Sequence, residues 1–234
     1  MMEHKEVYNE ILDKLKNKNN FSFVRWGDGE WSIIFKNEIY NHIVKKWGDV
    51  FENSRIELVK ILESKPEYYF GIQNFAYSKW KEDIDIATLN FTNLVNADTL
   101  HNKSKKGVIY DFFESLKDRT VVIVGPEYLN NIKEFKFSHH IITQEYYVWD
   151  KIDEIENNIK DYLKENINKN PVFLYSCSIA AKILIHKFRE QQITQIDTGS
   201  LLDPYVGMNS RSYHIDVLKR LNIDESTFKY PKIK

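Results

Sequence analysis

Two carboxylates one residue apart, Asp28 and Glu30, follow an arginine in the run Phe21-Ser-Phe-Val-Arg-Trp-Gly-Asp-Gly-Glu-Trp31. Carboxylates at that spacing beside a fixed cation, Arg25, suit a divalent metal ion that bridges phosphate oxygens. Gly27 and Gly29 would let the chain take a positive φ or approach a ligand closely. The same residues also make an ordinary helix start, with Asp28 as N-cap and Glu30 in the first turn against the helix dipole. That start does not explain why an arginine and two glycines crowd the same six residues.

Three further turns follow apolar runs: Gly125-Pro126, Ser176-Cys-Ser178 and Asp197-Thr-Gly-Ser200. In a parallel sheet the C-terminal strand ends share one edge, so all four turns would converge on one cleft. Ser176 and Ser178 precede a helix whose first amides could bind phosphate, although Ser178 reads equally well as a simple N-cap. Asp197 would hold a ribose or acceptor hydroxyl, or merely close a turn with Gly199. Glycine-rich dinucleotide, P-loop, nucleophile-elbow and His-Glu-x-x-His signatures are all missing from the sequence. His139 and His140 are adjacent on a strand and so face opposite ways, which argues against a zinc site. Cys177 reads as a small buried residue.

The elements that would position these turns alternate along the chain. Helical spacing predicts an opening helix over 4–17, a short helix carrying Trp31, Ile34 and Phe35, and one marked by Ile56, Val59 and Leu62 that stops near Pro66. Further helices carry Ile109 to Leu116, Ile152 to Leu163, and Ile179 to Glu190. Strands are predicted over 21–25, 68–73, 120–124, 140–143, 172–176 and 193–197, while 77–100 is ambiguous. Strands separated by helices imply an α/β, Rossmann-like fold, a mainly parallel sheet with helices on both faces. No Pro/Gly/Ser linker or repeat divides the chain, so a single domain over 1–234 is expected.

Composition sets the class. A hydrophobic share of 42% with 29% charged residues is that of a globular protein. Net charge of −1 gives no electrostatic case for nucleic acid. No apolar run is long enough to span a bilayer, and the first residues lack a signal-peptide core. The one cysteine fits a reducing compartment, so a cytoplasmic location is expected.

The run Phe-Val-Arg-Trp-Gly-Asp-Gly-Glu-Trp resembles the Arg-aromatic-Gly-Asp-Gly-Glu signature of bacterial glycosyltransferases of the GT-D structural type. Val121-Val-Ile-Val-Gly-Pro126 is similar to that family's central strand and turn. The segment from Val172 through Ser176-Cys-Ser178 is similar to its strand, small-residue turn and helix, and Ile196-Asp-Thr-Gly-Ser200 to its closing motif. Cys177-Ser178 stands where the family often shows Ala-Gly. The resemblance implies a Rossmann-like transferase that uses a nucleotide sugar and a divalent cation, Mn²⁺ or Mg²⁺. It implies Asp28 and Glu30 as metal and pyrophosphate residues with catalytic roles, and Arg25 near by. On this view Gly27, Gly29, Gly125, Ser176, Ser178, Gly199 and Ser200 line the nucleotide-sugar site.

The expected donor is UDP-linked and the acceptor a glycan or glycoconjugate, with no nucleic acid, no transmembrane segment, and homo-oligomer formation left open. A carboxylate able to deprotonate the acceptor would be Asp197 or Asp203, and spacing does not choose between them. Trp26, Trp31 and Tyr205 are stacking candidates that read more readily as packing. A Rossmann-like methyltransferase using the Val121 strand, and a non-catalytic nucleotide-binding protein, are the competing readings.

Overall fold

A computed structural model describes residues 5–35, 50–145 and 148–230. Seven strands form one sheet: β1 (Ser22–Trp26), β2 (Tyr69–Ile72), β3 (Leu94–Asn96), β4 (Val121–Pro126), β5 (His139–Thr143), β6 (Val172–Tyr175) and β7 (Thr194–Asp197). Their order is β3-β2-β1-β7-β6-β4-β5, and every pairing is parallel. The fold is therefore Rossmann-like α/β.

Successive strand residues face opposite sides, so an apolar run must be covered on both. Val122, Val124, Phe173 and Tyr175 enter one core cluster, while Val121, Ile123, Val172 and Leu174 enter the other. The helices that cover the sheet show the matching periodicity. Ile152, Ile155, Ile159 and Leu163 are the buried stripe of the helix Ile152–Asn166, spaced three and four residues apart.

The expected strands all form, with ends shifted by up to two residues, and the 77–100 stretch resolves into the end of a helix, Asn74–Lys79, a second helix, Lys81–Ala87, β3, and the start of a third helix, Thr99–Lys105. The opening helix, α1, runs Tyr8–Lys16 rather than over 4–17, and residue 4 lies outside the described residues. The helix expected around Ile56 to Leu62 spans Val50–Ser64.

Chain order sets one topological switch point, between β1 and β7. From β1 the chain steps outward through β2 to β3, then crosses to build β4 and β5, and returns inward through β6 and β7. Strands β1 and β7 are thus neighbours whose following segments run to opposite sides, the arrangement that opens a ligand crevice at the C-terminal edge. Their paired register is short, Ser22 with Gln195 and Phe23 with Ile196. Beyond it the Arg25 amide donates to the Asp197 carboxylate, Oδ2 at 3.2 Å, instead of to a strand carbonyl. A buried amide must find some acceptor, and here a side chain supplies it.

Candidate active site at the β1–β7 crevice

Asp28 begins the helix α2 (Asp28–Ile34), with Gly27 at its N-cap. The Gly27 amide donates to Glu30 Oε2 at 2.9 Å, so Glu30 reaches back to cap its own helix. Neither Gly27 nor Gly29 takes a positive φ, the first of the two uses the sequence allowed. Gly27 is instead closely packed, since a Cβ there would lie 3.2 Å from Gln73 Oε1, whereas Gly29 faces open space. The Asp28 amide donates to that same Gln73 oxygen at 3.2 Å.

The second oxygen of Glu30 meets a residue that the motif reading did not single out. Lys182 lies in the helix α3 (Ile179–Lys187), and its Nζ is 3.1 Å from Glu30 Oε1 and 2.9 Å from Asp197 Oδ2. It also donates to the Ser178 carbonyl at 3.2 Å. Burial pushes the Glu30 carboxyl up, but the Lys182 ammonium and the Gly27 amide outweigh it and hold the group below the usual carboxylate range. Burial likewise pulls the ammonium down, and Asp197 and Glu30 more than compensate. The sequence signal that could have found Lys182 is its isolation: it is the one charged residue from Ile179 to Ile185.

Asp197 is fully buried, with Oδ2 taken by Lys182 and the Arg25 amide and Oδ1 by the Gly199 amide at 3.0 Å. Gly199 has φ +51°, and a Cβ there would lie 2.3 Å from Arg25 Nη1. Glycine is thus favoured both by the left-handed backbone and by the guanidinium that crosses it. Arg25 continues to the end of β3, donating from Nε to the Ala97 carbonyl at 2.9 Å, with Nη2 3.5 Å from Asp98.

The remaining predicted residues tie the turns to each other. Ser176 Oγ and Thr198 Oγ1 are 2.9 Å apart, and Ser200 Oγ is 3.3 Å from the Tyr213 hydroxyl. Ser178 has φ +54° and its side chain does not cap α3. Gly125 is buried against Leu129 and Ser176, so it serves the packing of the β4 turn on the β6 turn. Trp26, Trp31 and Tyr205 are buried in the cores and offer no stacking surface.

Asp203 stands apart from Asp197. It is 3% exposed and accepts from the Tyr128 hydroxyl at 3.1 Å and from Ser210. Burial pushes its carboxyl up to about 6 despite those donors. Near Arg25, the imidazole of His101 is buried with no hydrogen-bond partner on either ring nitrogen among the described residues.

The donor set limits where a divalent cation could sit. Asp28 is exposed and its carboxylate has no partner among the described residues, while both Glu30 oxygens are engaged. Among the described residues no three His, Cys, Asp or Glu side chains cluster as a metal site. Of the two carboxylates, only that of Asp28 is left open.

Three solved structures are similar to this chain in fold. One is described as a new glycosyltransferase (DUF1792) from Streptococcus sanguinis, with TM-score 0.61 and 14% identity over 97% of this chain and 93% of that chain. A selenomethionine-substituted structure of domain of unknown function 1792 matches with TM-score 0.61 and 16% identity, over 97% of this chain and 90% of that chain. A third, of the same domain and described as having a distinct glycosyltransferase fold, matches with TM-score 0.55 and 18% identity, over 84% and 78% of the two chains. No family model matches the chain, and no curated protein matches its sequence.

Proposed function

We propose that this chain is a glycosyltransferase that takes its sugar from a nucleotide-activated donor, UDP-linked, and delivers it to a hydroxyl of a glycan or glycoconjugate. The observation that carries this reading is the meeting of Arg25, Glu30, Lys182, Asp197 and Gly199 at the β1–β7 crevice. It stands in a chain that shares its fold, over nearly its whole length, with a protein described as a glycosyltransferase.

Breaking a sugar–diphosphate bond builds negative charge on the leaving group, which preorganised donors and cations stabilise. The Arg25 side chain is the group of this chain suited to that charge. A divalent cation, Mn²⁺ or Mg²⁺, would be held at Asp28 and would supply further neutralisation of the diphosphate. For the acceptor proton, Asp203 is favoured over Asp197: each has both oxygens bonded, but the Asp203 donors are hydroxyls that can rotate away, whereas Asp197 is held by an ammonium and two backbone amides. A carboxyl raised toward neutrality is also the better general base. With its lone cysteine buried, the chain suits a reducing, cytoplasmic setting.

Melting the protein with UDP and Mn²⁺, and separately with S-adenosylmethionine, tests the ligand class. Release of free sugar from UDP-sugars then tests turnover. Stabilisation by UDP with donor hydrolysis supports the proposal; stabilisation by S-adenosylmethionine alone refutes it, and UDP binding without hydrolysis of any donor favours a non-catalytic nucleotide-binding protein.

A further inference from the structure

The Lys182 side chain is only 5% exposed, in a helix that is otherwise apolar from Ile179 to Ile185. A buried ammonium persists only where its charge and its donors are met. Here they are met from three turns at once: Glu30 after β1, the Ser178 carbonyl after β6, and Asp197 at the end of β7. The ammonium occupies the space in which two carboxylates would otherwise repel each other. A divalent ion bonded to the same two groups would stand against the lysine at short range, where like charges cost most.

We infer that Lys182 is the resident cation of this site, a positioning residue that neutralises Glu30 and Asp197 and leaves Asp28 to meet any divalent cation that arrives with a nucleotide. Glu30 then works by holding the β1 turn to α3, and not by touching metal. This rests on the nucleotide-sugar reading above and assigns separate tasks to its two carboxylates.

The test is Mn²⁺ binding, read from the electron paramagnetic resonance of free Mn²⁺ with and without UDP, in wild type, Asp28→Asn, Glu30→Gln and Lys182→Ala, each also melted. Asp28→Asn should weaken Mn²⁺ binding in the presence of UDP about tenfold or more, the loss typical of a lost ligand or its support. Its melting temperature should stay within about 2 °C, since an exposed carboxylate contributes little to stability. Glu30→Gln should keep Mn²⁺ binding within about threefold, below the loss typical of metal-site residues, yet melt several degrees lower. Lys182→Ala uncovers the Glu30–Asp197 pair, so it should gain a Mn²⁺ site that needs no UDP. Mn²⁺ should then raise the melting temperature of Lys182→Ala and not that of wild type, a response that a merely structural lysine would not produce.

Loss of Mn²⁺ binding in Glu30→Gln as complete as in Asp28→Asn would overturn the inference. So would a folded Lys182→Ala with no new Mn²⁺ site. If Lys182→Ala does not fold even with Mn²⁺, the comparison of Glu30→Gln with Asp28→Asn decides. Wild type that binds neither UDP nor UDP with Mn²⁺ would instead defeat the nucleotide-sugar reading, while the Lys182→Ala result would still decide the role of the lysine.

Discussion

Replacing Asp203 by asparagine should stabilise the protein at neutral pH. The folded carboxyl titrates at about 6, because burial outweighs its hydrogen bonds from Ser210 and Tyr128 and the field of Arg211. In the unfolded chain an aspartate titrates near 3.9. As pH rises from roughly 4 to 6, the unfolded chain releases a proton that the folded one keeps, so stability falls across that window. A difference of about two pH units corresponds to about 3 kcal/mol above pH 6. Asparagine carries no charge to bury, and rotation of the Ser210 and Tyr128 hydroxyls can accommodate its amide. The gain at pH 7.5 should be about 1–3 kcal/mol once imperfect hydrogen bonding is allowed for. That is roughly 2–10 °C for a chain of this size. Calorimetry on wild type and Asp203→Asn at pH 4.0, 5.5 and 7.5 should show the gap opening with pH and closing at pH 4. If the variant is no more stable at pH 7.5 and the two profiles run parallel, the carboxylate is not held at a cost and the argument fails. Should Asp203 also take the acceptor proton, the same variant will bind UDP normally and lose transfer.

Gly199→Ala forces a Cβ into the left-handed region and onto Arg25 Nη1, and should cost about 1–3 kcal/mol with loss of UDP affinity in equilibrium titration. Gly199→Asn, which tolerates the backbone, should not rescue it; rescue would show that the Arg25 contact is irrelevant. Cys177 is buried and its thiol is pushed up by burial and by Asp197, so a disulfide reagent at pH 8 should leave it untouched until denaturant is added. For Glu30, whose carboxyl is held below the unfolded value, the stabilisation is present above that value and lost as pH falls through the folded one; Glu30→Gln should flatten the acid limb of stability against pH.

The sheet was largely readable because buried parallel strands are continuous apolar runs, such as Val121–Val124 and Val172–Tyr175, bounded by turns. β3 escaped because Leu94–Asn96 is three residues long, too short for any period to declare itself. The β1 and β7 turns were legible as glycine- and carboxylate-bearing strand ends. Their connection was not, since Lys182 comes from a helix whose sequence reads as core and finds its partners, Glu30 about 150 residues upstream and Asp197 about 15 downstream, only after folding. The direction in which Glu30 points was equally hidden. A carboxylate three residues past a glycine N-cap can face a ligand or curl back to the cap, and the lysine behind it decides.

The neighbours β1 and β7 are far apart along the chain, and the bond from the Arg25 amide to Asp197 spans 172 residues. During synthesis, β1 and β6 must therefore wait for the last strand with a bare edge each, after every other strand of the sheet has been made. Closing so long a loop is slow, and an unpaired central edge is adhesive. A nascent chain halted before residue 194 carries the arginine turn without the aspartate and the glycine that complete it. The contacts at this edge therefore form only after residues 197 and 199 have been added to the chain.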